Sequence, residues 1–307
     1  MNGPVVECVP NFSEGQDVGR VEAIVAAMRV DGVRLLDWSM DADHNRSLVT
    51  IAGEPAAVIE AAVRAAGKAV ELIDLNSQQG VHPRIGAADV IPFVPVSGIK
   101  LERCVLLARQ AGAEIWRRFG VPVFFYAAAA ARPDRANLDN IRSGQFEGLR
   151  EAVRKDPSRR PDLGGPELHP SAGACAVGAR KFLVSYNLYF DTSDVATVRA
   201  MAREIRDALG GARGVQALAG LAQGRAQLGL NILDFEATPI AQVHRAVAAL
   251  AARHNTEITQ SEIAGLIPEA ACERESEWMR QLTGFDPKAR ILERRLEMPL
   301  PWPESRS

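Results

Sequence analysis

The sequence lacks a surplus of either charge: 36 Lys and Arg stand against 38 Asp and Glu, a formal −2. No global positive field is available to hold nucleic acid or an anionic membrane surface, so any anion site has to be local. Long apolar runs are also missing. The longest, around Val121 to Ala131, falls short of the roughly 18 residues a spanning helix needs and has Pro122 near its start, so a core strand is expected and no membrane span. Cys8, Cys104, Cys175 and Cys272 form no CxxC pair, which removes the usual zinc and disulfide frameworks and leaves them as buried small hydrophobes. Glu7, Asn11, Glu14 and Asp17 stand where a signal peptide needs an apolar stretch, and a reducing, cytoplasmic setting is expected. The P-loop, the Rossmann glycine triplet, HExxH and the nucleophile elbow are absent as well.

What is present is a 307-residue chain whose 47% hydrophobic and 24% charged residues suffice for one large core or two small ones and argue against disorder. Val5 to Pro10 is β-prone, and from Val18 the apolar positions Val21, Ile24, Val25 and Met28 recur at helical spacing. Val33 to Trp38 and Ser47 to Ala52 read as strands, Pro55 opens a helix, and Val90 to Val94 is a further strand. The order β-α-β-β-α-β recurs in the second half: strand Lys181 to Phe190, helix Asp194 to Leu209 with Thr192 or Ser193 as its cap, strands Val215 to Leu221 and Gln227 to Asp234, helix Ile240 to Arg253, and strand Glu257 to Ile263. Two copies predict an α+β fold of two ferredoxin-like (βαββαβ) subdomains, with antiparallel sheets and helices packed on them. A helix near Leu101 to Phe119, a strand at Val121 to Tyr126 and the Pro- and Gly-rich stretch Asp156 to Gly173 lie between them, and the division is expected at 1–178 and 179–307. The tail from Met298, with Pro299, Pro301 and Pro303 and no periodicity, reads as loosely held.

Four polar segments follow β-prone runs. In Val6-Glu-Cys-Val-Pro-Asn-Phe-Ser-Glu-Gly15 a strand delivers Asn11 and Ser13 to a helix start, which suits an anion or, equally, a plain cap. Asp41-Ala-Asp-His-Asn-Arg-Ser47 reads as a surface turn except for His44 and Arg46. In Gly80-Val-His-Pro-Arg-Ile-Gly-Ala-Ala-Asp89, Pro83 forces His82 into extended backbone, so an imidazole and the Arg84 guanidinium sit in a constrained loop suited to a held acid/base or to a structural histidine. The stretch Leu163-Gly164-Gly165-Pro166-Glu167-Leu168-His169-Pro170-Ser171-Ala172-Gly173 is either a linker or a functional loop, and Arg180 and Lys181, opening the next strand, are placed to meet carboxylates.

Taken together, VECVPNFSEG from Val6, the D-x-D-x-N-R-S loop from Asp41, HPRIGAADVIPFVPV from His82, RSGQFEGL from Arg142, GARKFLVSYN from Gly178 and NILDFEATP from Asn231 resemble glutamate formimidoyltransferases, over about residues 5 to 295. The resemblance implies two ferredoxin-like subdomains, commonly in a homodimer. It also implies transfer of the formimino group of N-formimino-L-glutamate to tetrahydrofolate, a co-substrate, in histidine degradation, without a metal. By it His82 is the catalytic acid/base, residues 163–173 form the folate-binding loop, and Asn11, Ser13, His44, Asn45, Arg46, Arg84, Arg180 and Lys181 are candidates for substrate contact. Where animal members carry Glu before the catalytic histidine, this chain has Val81. It also stops where bifunctional members continue, which implies a separate cyclodeaminase for the next step.

In such a transfer the folate N5 attacks the amidine carbon, loses a proton, and the departing glutamate nitrogen gains one. An imidazole with a reference pKa near 6.5 does both in turn, for about 10² to 10⁴ in rate. Two other readings stand beside this one: a glutamate formyltransferase using 5-formyltetrahydrofolate, and a non-catalytic module binding an amino acid or folate for regulation.

Overall fold

A computed structural model describes residues 3–80, 82–209, 214–273 and 276–304. Val81, the departure beside His82, lies outside the described residues. The chain divides into two compact units, one made of residues up to Arg180 plus the tail from Pro299, the other of Lys181–Met298.

In the first unit, β1 (Val5–Cys8) continues past Pro10 into β2 (Asn11–Phe12), and both pair antiparallel with β4 (Arg46–Gly53) and β5 (Ala88–Ser97). Strand β3 (Val33–Asp41) lies outside β4. Helix α1 (Val18–Ala27) begins where the Asp17 carboxylate accepts the Arg20 N–H, and it buries Val21, Ile24 and Val25, the apolar period of its sequence. Helix α2 (Pro55–Leu72) opens on Pro55, where a missing N–H costs nothing, and α3 (Leu101–Phe119) ends at Gly120, whose φ of +63° only glycine adopts easily.

The sheet is mixed, not antiparallel as the sequence pattern suggested. Beyond β5 come β7 (Cys175–Ala179) and then β6 (Val123–Ala127), both in parallel ladders. The cause is the crossover: α3 returns the chain in the direction of β5, two strand positions away, and β7 fills the gap. Helices α4 (Leu138–Arg142) and α5 (Gln145–Lys155) lie between β6 and β7 in the chain. Strand β7 is buried at every position, as a strand covered on both faces must be, and its small residues Cys-Ala-Val-Gly-Ala show no alternation for sequence reading to find. A Cβ on Gly178 would lie 2.5 Å from the Tyr126 ring. Each edge strand of the sheet carries one isolated bridge, Leu163 to Val123 on β6 and Leu300 to Leu35 on β3. The Leu300 N–H donates to the Leu35 carbonyl at 2.8 Å, and Leu300 and Trp302 pack on the core, so the described tail is held in place.

The second unit runs β8 (Val184–Phe190), α6 (Val195–Ala208), β9 (Val215–Ala222), β10 (Arg225–Ile232), α7 (Ile240–Arg253) and β11 (Ile258–Ala264). Its sheet has the order β11-β8-β10-β9 with every ladder antiparallel. Asp194, rather than Thr192 or Ser193, caps α6, accepting from the Ala196 and Thr197 amides, while Thr192 Oγ1 accepts from Asp194 N–H. Val184, Tyr186, Leu188 and Phe190 of β8 join Val198, Met201 and Ile205 of α6 and Val243 and Val247 of α7 in a separate core. No described helix is long and apolar enough to cross a membrane.

Candidate active site

Three of the four polar segments meet in the first unit. The loop after β2, the turn between β3 and β4, and the connection from α2 to β5 touch where two glycines permit it. A Cβ on Gly15 would lie 2.2 Å from the Asp41 carbonyl, and one on Gly80 would lie 2.4 Å from that of His44. Asn45, at a φ of +48°, ties all three: its Oδ1 accepts from Gly15 N–H at 2.9 Å and its Nδ2 donates to the Gln79 carbonyl at 2.7 Å.

Behind this junction stand Asn11, Arg46, His82, Asp89 and Arg142. Arg46, the first residue of β4, donates from Nε to Asn11 Oδ1 at 3.0 Å and from Nη2 to the same oxygen. Its Nη1 is 2.6 Å from His82 Nδ1 and 3.4 Å from Asp89 Oδ2. Arg142, the last residue of α4, donates to that same Asp89 oxygen, and Asp89 Oδ1 accepts from the Ile85 and Gly86 amides at 2.7 and 3.3 Å. His82 Nδ1 also lies 2.7 Å from the Pro83 carbonyl. Among the described residues its Nε2 has no hydrogen-bond partner.

The charges do not cancel, because two buried guanidiniums share one carboxylate. Burial opposes the ionised form of Asp89, yet Arg142 and Arg46 outweigh it and hold this carboxyl below its ordinary range. Burial pulls Arg46 down to about 10, so it stays charged at neutral pH. His82 is held at about 4, first by burial and then by the positive charges of Arg46 and Arg142, against Pro83 and Asp89 pulling upward. The reference value near 6.5 therefore does not apply, and the imidazole is neutral at pH 7. The site offers a neutral imidazole beside excess positive charge, which suits proton abstraction next to a bound carboxylate.

The other candidates are spread more widely. Ser13 is buried, and its hydroxyl donates to the Gly86 carbonyl at 2.7 Å, stitching two loops together. His44 is exposed, its Nδ1 2.8 Å from Asp41 Oδ2, and its ring centroid is 6.4 Å from that of His82. Arg84 turns inward, grips both oxygens of Glu147 at 2.8 and 2.9 Å and donates to Gln78 Oε1, so its guanidinium fastens the start of α5 to the loop before β5. Segment 163–173 is pinned at both ends: Leu163 exchanges backbone bonds with Val123, His169 exchanges them with Gly173, and the Ala172 carbonyl accepts from Ala87 N–H. Its middle, Gly164 to Glu167, is exposed. Arg180 donates its N–H to the Phe93 carbonyl and its side chain bonds to Tyr126. Lys181 belongs to the second unit, with its Nζ 2.6 Å from Asp234 Oδ2. A separate polar cleft of about 750 Å³, lined by Glu14, Arg20, Asn45, Asp74 and Gln78 among others, contains none of the His82 cluster. Cys8, Cys104 and Cys175 are buried, and their thiols are pushed up by that burial.

Sequence reading missed Asp89 and Arg142 as site residues. A signal for Asp89 existed: an Asp heading the apolar run Val90 to Val94 has to be buried and therefore needs a cation. Arg142, far along the chain, carried none.

Comparison with known proteins gives a consistent set of matches. The formiminotransferase domain, N-terminal subdomain, matches residues 5–180, and the formiminotransferase domain matches residues 185–285. The glutamate formimidoyltransferase of Thermoplasma acidophilum is 42% identical over 298 residues, covering 95% of this chain and 97% of that protein. That of Streptococcus pyogenes serotype M1 is 39% identical over 295 residues, covering 95% and 98%. The formimidoyltransferase-cyclodeaminase of Gallus gallus is 39% identical over 276 residues, and the match spans 51% of its length.

Proposed function

From the premise that the chain belongs to the glutamate formimidoyltransferase family, we propose that the His82 cluster is where it moves the formimino group of N-formimino-L-glutamate to N5 of tetrahydrofolate. The enzyme is a one-carbon transferase of histidine degradation, and tetrahydrofolate is its co-substrate. The observation that carries the placement is the His82 ring itself, neutral and with Nε2 unengaged among the described residues, beside two guanidiniums that one carboxylate leaves in excess.

In this mechanism N5 attacks the amidine carbon and a C–N5 bond forms. The N5 proton passes to His82 Nε2, and the resulting imidazolium donates Nδ1–H to the Pro83 carbonyl. The bond from carbon to the glutamate nitrogen then breaks, and Nε2 returns its proton to that nitrogen. A substrate carboxylate placed against Arg46 and Arg142 supplies the missing negative charge. That charge also lifts the imidazolium towards a range where it persists long enough to act as the acid. We also infer ferredoxin-like topology for each unit. The β11-β8-β10-β9 order supports it in the second unit, and the same order of β5, β1, β4 and β3 supports it in the first.

The test is turnover with N-formimino-L-glutamate and tetrahydrofolate, run beside 5-formyltetrahydrofolate with glutamate. His82→Ala should lose at least about 10² in kcat/KM if the ring is the acid/base. A loss of threefold or less, roughly, would overturn the assignment while leaving the family intact.

A further inference from the structure

His82 Nδ1 faces two groups that cannot both be satisfied. The Pro83 carbonyl at 2.7 Å only accepts, so Nδ1 must carry a proton to bond it. Arg46 Nη1 at 2.6 Å only donates, so Nδ1 must carry a lone pair to bond that. In the first tautomer Nε2 has the lone pair and can take a proton; in the second Nε2 carries the proton and can only give one. The position of Arg46 thus decides whether the ring is a base.

Arg46 has reason to move. Its Nη1 sits at a long 3.4 Å from Asp89 Oδ2, whose closer cation is Arg142. Arg142 Nε, in turn, is buried and, among the described residues, without a hydrogen-bond partner. The charged and titratable groups around the ring are Arg46 on β4, Arg142 on α4, Asp89 on β5, and His44 with its Asp41 at the β3–β4 turn. Among these the cations are under-compensated, and an unpartnered buried donor points at the same deficit.

We propose that Arg46 is a positioning residue that makes His82 a base only when a substrate carboxylate is bound: the carboxylate takes Nη1, Nδ1 turns to donate to Pro83, and the lone pair passes to Nε2. The exchange is balanced. One proton leaves Nε2 to solvent, one arrives at Nδ1 from solvent, and the ring stays neutral. Without its glutamate substrate the enzyme then holds an imidazole that cannot deprotonate folate, so the base is available only when an acceptor carbon is in place. The idea rests on the assignment of His82 made above.

Histidine tautomers are read directly from long-range proton–nitrogen NMR spectra of ring-¹⁵N-labelled full-length protein, at pH 7.5, where His82 is neutral. The probe is L-glutamate, the product, with its binding followed in parallel by calorimetry. The free enzyme should show its pyridine-like nitrogen at Nδ1, and saturating glutamate should move that signature to Nε2. In Arg46→Gln the signature should sit at Nε2 without ligand and should not respond to it. Binding of glutamate with no change of tautomer overturns the coupling and leaves the assignment of His82 standing, since His82→Ala tests that separately. Failure of glutamate to bind overturns the carboxylate contact at Arg46 and with it the coupling, and leaves His82 to the separate test of His82→Ala. The wild-type titration alone decides the matter if Arg46→Gln does not fold.

Discussion

Replacing Asp89 by Asn isolates the charge on which the site depends. The Asn oxygen can still accept from the Ile85 and Gly86 amides, so the turn before β5 keeps its closure. What disappears is, among the described residues, the only carboxylate bonded to Arg142 and Arg46, at a position with no solvent exposure. The Asn amide donors would also face guanidinium donors. Removing one partner from a buried ion pair typically costs about 3 to 5 kcal/mol, because the remaining charge stays buried and unpaired. For a unit of this size, 1 kcal/mol moves the melting point by about 2 to 4 °C, so calorimetry at pH 7 should show a fall of roughly 6 to 20 °C. The pH dependence has a fixed sign. The folded pKa of Asp89 lies below its unfolded value, so its stabilisation is complete above about pH 4 and fades as pH drops through the folded value. The gap between wild type and variant should therefore shrink only below about pH 4. A variant melting within about 2 °C of wild type at pH 7 would refute the claim that Asp89 compensates these cations.

Two further outcomes follow from the geometry. Because His82 is held at about 4 in the free enzyme, kcat/KM should stay level from neutral pH down to about 5 and fall only near 4; an acid limb between about 6 and 7 would show that burial and the two guanidiniums do not govern the ring. Gly80→Ala places a Cβ against the His44 carbonyl, which displaces the turn carrying Arg46 from the loop carrying His82; kcat should drop by about 10² with much less loss of melting temperature, and unchanged kcat would mean this glycine contact does not set the site.

Apolar periodicity gave α3, α6 and α7 almost residue for residue and the starts of α1 and α2, whereas α4 and α5, short and mostly polar, were not read. Strand β7 was invisible for the opposite reason: covered on both faces and built of small residues, it has no period at all. With it the parallel part of the sheet was lost to view. At the candidate site, His82 was legible because Pro83 and the flanking turns constrain it, Arg46 because a plain surface turn does not explain it, and Asn11 because a strand delivers it to a helix start. Arg84 was read as a candidate for substrate contact and is bonded to Glu147, and in sequence a buried arginine in an ion pair looks the same as one waiting for a ligand. Asp89 and Arg142 come from separate segments and become partners only through the packing of α4.

The bridge between Leu300 and Leu35 also bears on the order in which the molecule is completed. Leu35 leaves the ribosome before the second unit and Leu300 after it. Throughout that interval the Leu35 carbonyl on the outer edge of β3 lacks its Leu300 partner in a chain already able to collapse, an acceptor open to any other nascent strand. Synthesis of the segment around Leu300 is then a quality step for the first unit: chains that reach it cover this point of the edge themselves, and chains cut short before it leave the point open to their neighbours.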